Sequence, residues 1–167
     1  MLRVDRQLKR LTRQLVYMTI AAGAVGLSGC SDEDLRGHYW NVSLSGVDDQ
    51  CTEGAADYTE KLEYRMRISG QEVVLAVGSN EFAWGTINGC FAEYESVVWT
   101  EERNGYDVSW KIIGSATVNT QGATCKVDGK DWSGGEVFEV INSDDPTISP
   151  GCNYTVAVTG TYIEEIK

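Results

Sequence analysis

The sequence predicts an all-β domain, an eight-stranded antiparallel up-and-down barrel, with a two-sheet β-sandwich as the alternative. Three observations carry this expectation. From Gly37 onward no apolar period of 3.6 residues is sustained, while short runs of strict apolar–polar alternation recur. The runs are separated by two-residue turn signals at Ser69-Gly70, Asn88-Gly89, Asn104-Gly105 and Asp128-Gly129. The strands so bounded follow one another as hairpins, and closing such a meander on itself removes its exposed edges.

Residues 1–29 stand apart from that pattern. Arg3, Arg6, Lys9, Arg10 and Arg13 precede an uncharged, mostly apolar stretch from Leu15 to Leu27, and small residues follow. This is the order of a secretory signal peptide, the one place where helix is expected. The stretch carries Gly23 and Gly26 and falls short of the ~20 strongly apolar residues of a spanning helix. At its end, Leu27-Ser28-Gly29-Cys30 resembles the lipobox of bacterial lipoproteins at all four positions. The resemblance implies diacylglycerol attachment to Cys30, cleavage before it and acylation of the new amino terminus, with residues 30–36 as a short tether. Ser31 stands where inner-membrane lipoproteins often carry Asp, so the resemblance implies the outer membrane.

The strands of the domain, residues 37–167, are expected at 38–45, 58–68, 71–77, 81–87, 90–103, 106–119 or beyond, 131–141 and 153–163. A turn centred on Ser69-Gly70 pairs Met66 with Val73, Tyr64 with Leu75 and Arg67 with Glu72. One centred on Asn88-Gly89 sets Trp84 against Glu93 on a mixed face. Asn104-Gly105 suits a type I′ turn, whose two central residues both take φ > 0. It pairs Arg103 with Tyr106, Glu101 with Val108, Trp99 with Trp110 and Val97 with Ile112, and the apolar pairs share the inner face.

Charge and cysteine usage bound the function. The chain of 167 residues holds 14 Lys+Arg and 25 Asp+Glu; five of the bases and one acid lie in the first 29 residues, so the remainder stands at −15. Such a surface repels a phosphate backbone, which excludes nucleic acid as a partner, and it also excludes docking through a polybasic patch. Setting Cys30 aside leaves four cysteines of the five, Cys51, Cys90, Cys125 and Cys152, an even number in a chain bound for an oxidising compartment. Eight antiparallel strands place Cys51 beside Cys152 and Cys90 beside Cys125 at the opposite end. A separate ninth strand in 115–127 would instead favour Cys51 with Cys125 and Cys90 with Cys152.

Two further likenesses concern the domain. Gly37-His38-Tyr39-Trp40 resembles the glycine-and-tryptophan start of lipocalins and related calycins, with a spacing one residue longer, and implies a tryptophan packed across the barrel floor. The final Cys152-Asn153-Tyr154-Thr155-Val156 strand, with Thr159-Gly160-Thr161, is similar to that of small β-rich bacterial lipoproteins.

Little in the chain suggests chemistry. The single histidine, His38, has no local Ser or Cys partner, and no cysteine pair has zinc or redox spacing, so neither catalytic residues, a metal nor a cofactor is expected. Asp48-Asp49, Asp128 to Asp131 and Asp144-Asp145 do not reproduce a calcium loop and read as solvated turns. Asn41 and Asn153 begin N-glycosylation patterns that a bacterial lipoprotein does not normally have modified. The aromatics Trp40, Tyr64, Trp84, Trp99 and Trp110 fall on faces read as inward and are the candidate ligand-binding residues. Two functions follow: a lipid-anchored barrel that binds a small apolar molecule, or an interaction or inhibitor module presenting an acidic surface to a basic protein, as lipoprotein lysozyme inhibitors do.

Overall fold

The computed structural model describes residues 36–51, 59–120 and 125–167. The signal peptide, Cys30 and nearly all of the tether lie outside the described residues. Every regular element among the described residues is a strand: β1 (Gly37–Asp49), β2 (Thr59–Ser69), β3 (Glu72–Val77), β4 (Asn80–Asn88), β5 (Phe91–Ser96), β6 (Trp99–Arg103), β7 (Tyr106–Val118), β8 (Trp132–Ser143) and β9 (Asn153–Ile166). Sequence neighbours pair antiparallel except β5 and β6, which both pair with β7, and β1 pairs with β9. The sheet is therefore closed. β5 and β6 are one barrel strand interrupted at Val97-Val98, because Glu95 faces Ile113 and Trp99 faces Trp110, one residue out of step. Counted so, eight strands build an up-and-down barrel.

The Asn104-Gly105 hairpin has the expected register from Trp99↔Trp110 to Arg103↔Tyr106, with Asn104 at φ 54° and Gly105 at φ 86°. Val97 departs from it. It lies in the interruption, 60% exposed, and Ile112 donates its backbone N–H to the Ser96 hydroxyl at 2.8 Å instead of pairing with Val97. The extra residue of a bulge accounts for the shift.

Two other registers differ from expectation through the placement of their turns. The β2–β3 turn is Gly70-Gln71, not Ser69-Gly70, so Met66 faces Leu75, Tyr64 faces Val77 and Arg67 faces Val74. The β4–β5 turn is Gly89-Cys90, so Trp84 faces Glu95 instead of Glu93. In both, glycine takes the first central position at positive φ, 63° at Gly70 and 60° at Gly89, the requirement of a type II′ turn. A type I′ turn would also have forced Ser69 to positive φ. Both shifts are by two residues on the partner, so every side chain keeps its face.

The disulfides join Cys51 to Cys152 (Cα–Cα 5.2 Å) and Cys90 to Cys125 (5.9 Å), one at each end of the barrel. No ninth strand forms in 115–120; β7 ends at Val118 and runs on antiparallel to β8. At the end carrying Cys90–Cys125, Trp40 is fully buried and donates its indole N–H to the Asn119 carbonyl at 3.2 Å. Trp132 and Tyr162 meet its ring edge-on at 5.2 and 5.5 Å, an arrangement favoured by the ring quadrupole, and together they floor the barrel. At the other end, Ile148 from the β8–β9 connection is buried against the core. The acid pairs serve as turn acceptors: Asp49 for the Cys51 N–H at 2.8 Å, Asp145 for the Thr147 N–H and hydroxyl at 2.8 and 2.6 Å.

Candidate functional site: the aromatic interior and its carboxyl

Alternation along β8 sends Trp132, Gly134, Glu136, Phe138 and Val140 to one face, which is the inner one. Glu136 is thereby placed inside the barrel with no exposed surface. The Tyr94 hydroxyl donates to its Oε1 at 2.8 Å, and the Tyr64 hydroxyl donates to Oε1 and Oε2 at 3.1 and 3.2 Å. Burial raises the Glu136 carboxyl to about 7, against the opposing pull of the two tyrosine hydrogen bonds, which favour the ionised form. Tyr94 is itself pushed well above its ordinary value, first by burial and then by the carboxylate it faces.

The reach of Tyr94 depends on what stands beside it. It lies opposite Gly114 on β7, and Gly114 lies opposite Glu136 on β8. A Cβ on Gly114 would sit 2.2 Å from the Tyr94 ring, so only glycine lets the ring lie flat across β7 to the carboxyl. The other neighbours on this wall are also small: Ala83, Gly85, Ala92 and Ala116. The volume they leave is filled by Tyr94 and Trp132, whose rings lie 6.3 Å apart; Tyr64 meets Trp132 edge-on at 5.6 Å and Phe82 at 5.5 Å.

Toward the Cys51–Cys152 end the interior stays aromatic. Phe138 stacks on Tyr154 at 4.5 Å, and Tyr154 meets Trp110 edge-on at 5.7 Å. Arg103 lies over the Trp110 ring at 5.8 Å. Glu101, on the same face of β6, has its carboxyl raised by burial, with Arg103 and the Trp110 indole pulling the other way. Around this level Leu62, Val77, Phe82, Trp99 and Tyr154 pack on the core yet remain half-exposed, forming an apolar rim.

Of the candidate residues, Trp40 and Tyr64 belong to the floor and centre, and Trp99 and Trp110 to the rim level. Trp84 does not join them. It points outward from β4, 40% exposed, on the face that carries Thr86, Glu93 and Glu95, because alternation turns its neighbours Ala83, Gly85 and Ile87 inward. Glu136 escaped the sequence reading, although a signal was present: it is the single charged residue in the inward alternation of β8. His38 sits half-buried at the floor, its Nδ1 3.1 Å from the Tyr162 hydroxyl, and burial lowers its pKa. Among the described residues no group of three or more His, Cys, Asp and Glu side chains is placed to hold a metal ion.

No protein-family model and no curated protein matches the chain. A solved structure, that of the Mycobacterium tuberculosis lipoprotein LppX, aligns over 98% of both chains at 9% identity with a TM-score of 0.19, too low to carry an argument about fold or function.

Proposed function

We propose that this protein is a bacterial envelope lipoprotein, acylated at Cys30 and anchored in the outer membrane, whose barrel binds a small apolar molecule in or at its mouth and catalyses no reaction. The observation that carries the ligand reading is the half-exposed rim of Leu62, Val77, Phe82 and Trp99, set on consecutive barrel strands above an aromatic interior. Apolar side chains held toward water at a barrel end offer contact area to a small apolar molecule. The full lipobox supports the anchor, and the extended tether spans at most ~25 Å, which holds the domain close to the membrane.

The test is a titration of tryptophan emission with fatty acids, lysophospholipids and apolar pigments, repeated at rising salt. Saturable change that Trp110→Ala weakens and salt hardly alters is the expected result. The exposed acids Glu63, Glu93, Glu95 and Glu102 favour a second reading, an acidic surface that engages a basic protein. Silence toward the whole panel, with salt-sensitive capture of a basic protein such as lysozyme, would replace the first reading by the second.

A further inference from the structure

The carboxyl at the barrel centre lacks what buried carboxylates usually have. Among the described residues no ion pair involves Glu136, and only tyrosine hydroxyls reach it. A buried anion without a countercharge is costly, and the ordinary remedies are a cationic partner or a proton. The side chains that hydrogen-bond it are aromatic, Tyr64 from β2 and Tyr94 from β5, and Trp132 of its own strand packs on both of their rings. β7 and β4 contribute Gly114 and Gly85 at this level, so the titratable groups facing Glu136 are the two tyrosines. A desolvated carboxylate without a countercharge, held by tyrosine hydroxyls in an aromatic cluster, is the complement of an organic ammonium group.

We infer that the barrel's ligand is an apolar amine whose ammonium group pairs with Glu136 inside the ring set of Tyr64, Tyr94 and Trp132. The inference rests on the ligand-binding reading above and specifies the ligand's polar end. Room comes from Tyr94. Swung away, its ring vacates the space over Gly114 and withdraws one donor from Oε1 of Glu136. The entering ammonium replaces the Tyr94 hydroxyl as donor, and the carboxyl then stays ionised.

Three probes of one shape test it: 1-naphthylmethylamine, 1-naphthalenemethanol and 1-naphthoate, titrated by calorimetry and tryptophan quenching into the full chain in non-ionic detergent. At pH 8 the amine should bind at least about ten-fold more tightly than the alcohol, and the naphthoate least. Glu136→Gln keeps an acceptor for both tyrosines and should abolish the amine's advantage over the alcohol. Lowering the pH to 5, where the carboxyl is protonated, should do the same to the unaltered protein. Equal affinity for amine and alcohol, or a preference that survives Glu136→Gln, overturns the inference and leaves the apolar-ligand reading standing. Failure of all three probes overturns it as well, and the fatty-acid and pigment titration then decides the broader reading separately.

Discussion

Glu136→Gln should invert how the stability of this barrel responds to pH. The carboxyl titrates at about 7 in the folded protein against 4.5 ordinarily, so the folded state holds its proton more tightly than the unfolded chain does. The stability this contributes is complete below pH 4.5, declines as pH rises from there, and is gone above pH 7. Between 4.5 and about 7, at ~1.4 kcal/mol per pH unit, this amounts to roughly 3 to 4 kcal/mol, a large part of a domain's usual margin. Other carboxyls work in the opposite sense. Asp131 is held below its ordinary value by the Asn119 amide, the Tyr162 N–H and Lys126, and Asp145 by Thr147, so their contributions are lost as pH falls through the acid range. The variant isolates the first effect because glutamine cannot ionise. Urea unfolding from pH 4 to 8 should show the unaltered protein losing roughly 3 to 4 kcal/mol relative to Glu136→Gln, most of it between pH 5 and 7. Parallel pH profiles for the two proteins would refute the reasoning, since they would mean that Glu136 is hydrated or compensated in the folded state.

Further outcomes follow from the same geometry. Gly114→Ala should cost about 2–3 kcal/mol by driving a methyl into the Tyr94 ring, and in a double-mutant cycle Tyr94→Leu should relieve part of that cost; simple additivity in urea unfolding would show that the two do not touch. Replacing Cys51 and Cys152 with Ser should destabilise more than replacing Cys90 and Cys125, by about 1 kcal/mol, because the loops closed span sequence separations of 101 and 35 residues; thermal unfolding of the two variants ranks them. Cys30→Ala should release the protein from membranes or leave it as uncleaved precursor, read by detergent partitioning and intact mass, and an unchanged lipid-linked mass would remove the anchor from the account.

The architecture was legible because period-2 alternation and turn chemistry act locally. Asn104-Gly105 sets its register alone, and the strand count that follows from such hairpins brings Cys51 to Cys152 and Cys90 to Cys125. What the sequence hid was decided at a distance. Whether glycine takes the first or second place in a turn changes the register by two without changing any face, so Ser69-Gly70 and Asn88-Gly89 misled pairing but not burial. The bulge at Val97-Val98 left no mark in the alternation of its neighbours. Trp84 reads as core by size, yet the inner face of β4 is taken by Ala83, Gly85 and Ile87, and a side chain at Gly85 would strike the β5 backbone at Glu93 and Tyr94. Glu136 reads as one more surface acid until the tyrosines of β2 and β5 are seen to converge on it.

The central claim, that the barrel holds a small apolar molecule, is tested most directly by native mass spectrometry of the protein released from its own membranes in detergent. The account predicts one additional mass of small-molecule size per chain, distinct from the acyl groups on Cys30, lost when the protein is unfolded and reduced in occupancy by Trp110→Ala. A bare acylated chain that stays bare after incubation with extracted membrane lipids and amines would contradict it.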